Sequence, residues 1–500
     1  MFKILKSSVR DTAIYSIGTF SSKLAGFILV PLYTNSLYLS ETDYGVLNLV
    51  EANLQFMISV FGLGLCYAFE RWYWDKEFVE KRESIFFTIL VATTILSLVL
   101  VLTLFPFAGS LSRILFESAA YGNVFQLMLI NASFEIVAQT PNSLVRLKEK
   151  PSLFTFANMC KLGVSVLCTV IFVVYFKLGL EGVYYAQIIG ILVYFIILSK
   201  FLYNQSKIGF EWAALRDMVR FRFPFLLPVI ALNVFSFNDR FVLSNVSGVI
   251  DAGIYSLGAK LANTIKVFLI TAIWLALMPT VYRMMNDPQN KRFYSKVMTY
   301  LGFVVIIFVM IFSFFGKEMV MLLAKDKMYW DAYLVIPVVS LGIFFAMLKD
   351  VSLIGLNITK KTKSIATVTI AITLVNLGLN ILLVPYMGML GAAFSGLIAQ
   401  FLFFVIIYAV AQKHYKIPYE LNKIGLMVLI GLILYGASTI TNPLSLWIRV
   451  LIKFAMIVLF PFLLYLCGFY EQVEIERIKG FWKKWRNPLM WKKNLDTLEF

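Results

Sequence analysis

Charged and amide side chains recur at three- and four-residue spacing inside long apolar stretches of this chain. Ser16, Thr19 and Lys23 make one such row, and Asn48, Glu51, Gln55 and Ser59 a second. Asn131, Glu135, Gln139 and Asn142 make a third, and Asn158, Lys161 and Ser165 a fourth. The second half carries Asn233, Ser236 and Arg240 beside Asp239, then Ser256, Lys260 and Asn263 with Lys266 on the flank. Lys349, Asp350 and Asn357 follow, and finally Thr369, Thr373, Asn376 and Asn380. Residues at this spacing share one face of a helix. A charge at the centre of a membrane helix costs about 2.5–3.5 kcal/mol, so such a face must meet a wet cavity or a partner.

Lys23, Lys161, Arg240, Lys260, Lys266 and Lys349 form the cationic set, and Glu51, Glu135, Asp239 and Asp350 a smaller acidic one. A single chamber holding these groups would carry a positive excess suited to a phosphate or diphosphate. Asn48, Gln55, Asn131, Asn158, Asn263 and Asn376 would supply its neutral polar lining, and the four carboxylates are candidates for a coupling proton or sodium ion. The competing reading is that the charges are interhelix ion pairs, strongest for the neighbours Asp239–Arg240 and Lys349–Asp350.

The elements that hold these rows follow from composition. Of 500 residues, 60% are apolar and 15% charged, against roughly a quarter charged in a soluble protein. About 20 apolar residues span a hydrocarbon core as a helix. About fourteen such stretches are predicted: 11–36, 43–69, 84–106, 120–140, 152–176, 180–203, 222–246, 252–282, 295–316, 331–358, 362–385, 388–412, 421–441 and 446–469. The expected fold is an all-α polytopic membrane protein with no soluble domain. Lys3, Lys6 and Arg10 precede an apolar run too long and too polar for a signal peptide, so it is read as the first span.

Basic residues orient the chain. The N-terminus, the loops after even-numbered spans and the C-terminal tail, counted with their flanking helix ends, hold 32 Lys and Arg; the opposite loops hold 5. Both termini are therefore expected in the cytoplasm. The net charge of +17 is accounted for as orientation signal and attraction to anionic membrane lipid, not nucleic-acid binding. In the tail, residues 471–500, Trp482, Trp485 and Trp491 alternate with Lys483, Lys484, Arg486, Lys492 and Lys493, a pattern suited to the cytoplasmic membrane interface.

Catalysis is not expected. No outer loop exceeds about 16 residues by these bounds, and no G-x-x-x-x-G-K-[ST] phosphate loop is present. Cys66, Cys160, Cys168 and Cys467 make no metal or disulfide pattern, and His414 is the only histidine. No metal or cofactor is expected.

The chain also repeats itself. Asp43-Tyr44-Gly45-Val46-Leu47-Asn48-Leu49 returns as Asp251-Ala252-Gly253-Ile254-Tyr255-Ser256-Leu257, and Gly179-Leu180-Glu181-Gly182 as Gly388-Met389-Leu390-Gly391. The offsets, 208 and 209, agree within one residue. Two pseudo-symmetric six-helix bundles are expected, residues 1–210 and 211–415, followed by an appended helix pair at 416–470. Repeats of this kind are a transporter architecture with the site between halves near mid-membrane.

Asp239-Arg240-Phe241, followed by Asp251-Ala252-Gly253-Ile254-Tyr255-Ser256, resembles the span 7–8 signature of polysaccharide transporters. These are a branch of the multidrug, oligosaccharidyl-lipid and polysaccharide exporter superfamily. The run from Pro31-Leu32-Tyr33 to Tyr44-Gly45 and the stretch Leu383-Val384-Pro385…Gly388…Gly391 resemble it too. The resemblance covers spans 1–12. It implies flipping of polyprenyl-diphosphate-linked oligosaccharides, such as O-antigen or capsule repeat units, across a bacterial inner membrane, with glycan polymerase or assembly proteins as possible partners. Fourteen spans are also similar to lipid II flippases, and a multidrug antiporter is the other alternative within the superfamily.

Overall fold

The computed structural model describes residues 26–116, 118–359, 361–441 and 443–476. Those residues fold into helices: α1 (Val30–Tyr33), α2 (Glu41–Phe61), α3 (Leu65–Trp72), α4 (Arg82–Leu104), α5 (Ala108–Phe116), α6 (Gly122–Leu147), α7 (Pro151–Val170) and α8 (Gly179–Asn204) in the first half. The second half has α9 (Trp212–Val246), α10 (Val249–Thr264), α11 (Thr271–Arg283), α12 (Asn290–Phe314), α13 (Gly316–Leu323), α14 (Val335–Ile358) and α15 (Thr362–His414). α16 (Leu421–Ile440) and α17 (Leu446–Leu466) close the described chain. Among the described residues, ten helical stretches are long and apolar enough to cross a membrane, or eleven if the bent pair α2–α3 is one span. The chain is a multi-pass membrane protein. Helix occupies each predicted stretch from the second onward; most of the first lies outside the described residues.

Two elements depart from straight helix for local reasons. Between α2 and α3 the axis turns by 46°, where Leu63 (φ 50°) and Gly64 (φ 61°) take the left-handed conformation that ends helices. α15 is 53 residues long but holds Gly388 at φ 52°, ψ −130°, a conformation open to glycine. Ile372 and Ala399 share one buried cluster with Leu356, although a straight helix would part them by about 40 Å. The stretch is therefore a helical hairpin turned at Gly388.

Element starts recur at a fixed spacing. Glu41 and Val249, Arg82 and Asn290, and Ala108 and Gly316 each begin a helix 208 positions apart. The left-handed Gly179 and Gly388 stand 209 apart. The short helices α5 and α13, inside what the sequence reading treats as loops, belong to this series.

α9 is shared between the halves. Its first turns bury Ala214, Leu215 and Met218 against Leu65, Phe69 and Phe86. Its last turns bury Val242 and Leu243 against Tyr255, Val335 and Val384, and Pro224 and Pro228 stand between the two patches. The final pair packs on the second half: Met427, Ile430 and Leu434 join the main core with Ile306 and Met310. Arg449 and Lys453 of α17, 7% and 2% exposed, reach Glu318 of α13 at 2.7 and 3.2 Å.

Candidate functional site

A cavity of about 910 Å³ lies between the halves, lined by α2, α6, α7 and α8 on one side and by α9, α10 and the π-helical turns Ile265–Ile270 on the other. Lys161, Arg240, Lys260, Lys266, Glu51, Glu135, Asn48, Gln55, Asn131, Asn158 and Asn263, all expected site residues, line it. Lys23 lies outside the described residues, as does 477–500 of the tail.

On the first-half wall the polar rows of α6, α7 and α8 interlock. Lys161 donates to Glu135 at 2.5 Å, Asn158 to Asn142 at 3.3 Å, and Asn131 to Gln187 at 2.5 Å. Close packing of α8 on α7 aligns them: a Cβ at Gly190 would stand 2.7 Å from the Lys161 carbonyl oxygen. Gln187 was not anticipated, because it is a lone amide in an apolar run and belongs to no row. Asn131 is 2% exposed, and its Oδ1 has no hydrogen-bond partner among the described residues. Buried acceptors left unmade cost about 1–3 kcal/mol.

On the second-half wall stand three cations. Arg240 and Lys260 form no ion pair among the described residues, and Lys266 lines the same wall. A guanidinium and ammonium groups facing a wet cavity offer charge-assisted hydrogen bonds to an anion.

Four expected site residues sit elsewhere. Lys349 pairs with its neighbour Asp350 at 2.8 Å and lies over the Phe403 ring at 4.8 Å, away from the cavity. Asp239 and Asn376 form a second polar centre. The Asp239 carboxylate accepts from Tyr255 (2.9 Å), Asn380 (2.8 Å) and Asn376 (3.4 Å), and Asn238 donates to Asn376 at 3.2 Å. Asn380 Oδ1 is buried and has no hydrogen-bond partner among the described residues. The single chamber expected from the sequence is thus corrected to a cavity and a separate knot. The reason is geometric: successive helix residues point about 100° apart, so Arg240 reaches the cavity while Asp239 faces α15.

One end of the cavity is closed. Tyr44 packs edge-on to Tyr329 at 5.2 Å. Ser36 N donates to Asp326 Oδ2 at 2.8 Å, and Lys325 N to Thr34 Oγ1 at 3.3 Å. At the start of α2 and α10 the backbones touch: a Cβ at Gly45 would lie 2.2 Å from the Val249 carbonyl oxygen, and one at Gly253 3.1 Å from the Gly45 Cα. Cavity lining begins one turn later on α2, at Asn48.

Several solved structures share this architecture. The lipid II flippase MurJ, in an inward closed conformation, aligns over 92% of this chain and 100% of its own (TM-score 0.71, 17% identity). An inward-facing multidrug resistance MATE family transporter of the MOP superfamily aligns over 80% and 94% (TM-score 0.63, 15% identity). A MOP superfamily transporter from Pyrococcus furiosus, described as having a binding pocket of reverse polarity, aligns over 82% and 95% (TM-score 0.56, 16% identity). At these identities the likeness shows the fold. No curated protein matches the chain in sequence. The sequence model of one family matches residues 8–285, more than half of the chain, and the chain therefore belongs to the polysaccharide biosynthesis protein family, with the fold of MOP superfamily transporters.

Proposed function

We propose that this protein is a flippase, not an enzyme, that moves polyprenyl-diphosphate-linked oligosaccharide repeat units across a bacterial inner membrane by alternating access. The observation that carries this reading is the cavity between the halves, roomy enough for sugars and walled on one side by Arg240, Lys260 and Lys266. The family match supports a glycan substrate. A drug antiporter would favour an acidic chamber that draws in cations, and this one has four cations to two carboxylates among the described residues.

The chain is read as fourteen crossings. The α15 hairpin supplies two and the polar helix α6 one; most of the first predicted stretch lies outside the described residues. The 208-residue spacing of helix starts supports two equivalent lobes. The basic loops support cytoplasmic termini; with that orientation the closed end at Gly45 and Gly253 would face outward. A second apolar pocket of about 230 Å³, lined by Ile306, Met310, Leu341, Leu397 and Leu432 among others, joins the second half to α16 and suits part of the polyprenyl tail. Asp239, clear of the cavity, is the best placed of the four carboxylates for a coupling cation, and net charge movement couples to the membrane potential at about 2.3 kcal/mol per charge per 100 mV.

The lipid II reading stands second, favoured by the full-length likeness to MurJ. Deleting the gene separates the readings. Loss of surface polysaccharide with accumulation of its lipid-linked units supports the proposal. A block confined to lipid II, or changed drug sensitivity with normal surface glycan, would overturn it.

A further inference from the structure

The two walls of the cavity differ in kind. Among the described residues, the first half contributes seven of the nine side-chain amides, one cation and two carboxylates. Its cation, Lys161, is already neutralised by Glu135. The second half contributes three cations, no carboxylate and only Asn233 and Asn263 as amides. A lipid-linked sugar has the same polarity: an anionic diphosphate joined to neutral, hydroxyl-rich rings.

We propose that the walls divide the substrate, the second-half wall holding the diphosphate through Arg240, Lys260 and Lys266, and the first-half amides reading the sugars. This rests on the flippase reading and deepens it by naming which residues set sugar specificity. An amide presents a donor and an acceptor together, which matches a hydroxyl that can be both. Gln187, Asn142 and Asn158, with Asn131 packed behind Gln187, make up this surface on the first-half wall. The opposite orientation would set the diphosphate against Glu51 and leave Arg240 and Lys260 facing neutral rings. The apolar pocket suited to the lipid tail also belongs to the second half, so tail and diphosphate lie on one side. Lys161, expected from sequence to grip phosphate, becomes a member of the sugar wall.

The test is binding to the purified full-length chain in nanodiscs. One probe is undecaprenyl diphosphate alone, and the other is the lipid-linked units extracted from cells lacking the gene. Arg240→Gln with Lys260→Gln is expected to weaken both probes tenfold or more and leave their affinity ratio unchanged. Asn142→Leu and, separately, Gln187→Leu should leave the bare diphosphate within twofold while erasing the advantage of the glycosylated probe. Unfolding temperature checks each variant, and two amide positions guard against one failing to fold. Equal loss for both probes in the amide variants, or a changed ratio in the cation variants, overturns the division and spares the flippase reading. Wild-type protein that binds neither probe overturns both.

Discussion

Asp239 and Arg240 are neighbours on one helix and serve opposite environments. Arg240 opens onto the cavity with no ion-pair partner among the described residues. Asp239 is enclosed by a phenol and two amides that donate to it. In a membrane both placements are costly, and each is stabilised differently: by water or an anionic ligand in the cavity, by fixed dipoles in the knot. The contrast separates a charged surface open to the cavity from a polar centre whose hydrogen bonds are made within the protein. Substitutions in the first should therefore cost transport, and substitutions in the second stability or coupling.

The largest effect is expected from reversing the cavity charge. Each charge-assisted hydrogen bond contributes about 1.5–3 kcal/mol, so Arg240→Glu together with Lys260→Glu should reduce flipping roughly 100-fold or more. The measurement is accumulation of lipid-linked units in cells carrying the variant at wild-type expression. Because these side chains have no ion-pair partner among the described residues, the unfolding temperature should hold. A protein that instead melts would assign the two cations a structural role and erase the contrast with Asp239.

The knot should behave in reverse. Asp239→Ala removes the acceptor of the Tyr255 hydroxyl and of the Asn380 and Asn376 amides, all on buried residues, at about 1–3 kcal/mol, read as a lowered unfolding temperature with bare-diphosphate binding unchanged. Asp239→Asn keeps the shape and removes the charge. It is expected to retain stability within about 1 kcal/mol, on the scale of a neutral hydrogen bond, and to lose any dependence of transport on proton or sodium gradient. If gradient dependence survives in Asp239→Asn and vanishes in Glu51→Gln, the coupling group lies in the cavity and the division of labour between the centres is wrong.

The sequence carried much of this and not all. The rows Asn48–Gln55, Asn131–Asn142 and Asn158–Ser165 were readable because helical periodicity puts them on common faces, and all three turn toward the cavity. Helix bounds were readable because hydropathy and length fix them, as at Leu421–Ile440. Which neighbour of the Asp239–Arg240 pair faces inward was not, since periodicity fixes angles within a helix but not its rotation against others. Lys349 and Asp350 misled for the same reason: an adjacent opposite charge can close locally, and at 2.8 Å it does. Gln187 left no periodic trace. Arg449 and Lys453, four residues apart in an apolar span, could have been flagged. Their partner Glu318 lies 135 positions from Lys453 on a short helix that the loop reading concealed.

The smallest effect tests where the cavity's own ion pair belongs. Glu135→Gln leaves Lys161 without a carboxylate, and both side chains are about one-quarter exposed, so water can solvate the freed ammonium. The loss in stability should therefore stay within about 1 kcal/mol, as for a pair in contact with solvent. The consequence is electrostatic: the first-half wall gains a positive charge that an anion can use. Bare undecaprenyl diphosphate should then bind a few-fold tighter, about 0.5–1 kcal/mol, while the margin favouring the glycosylated lipid shrinks, because the diphosphate now has a second place to settle. Adding Lys161→Gln should restore both values. Tighter binding that persists in the double variant would mean that Glu135 itself repels the phosphate, and the first-half wall would then discriminate by charge as well as by its amides.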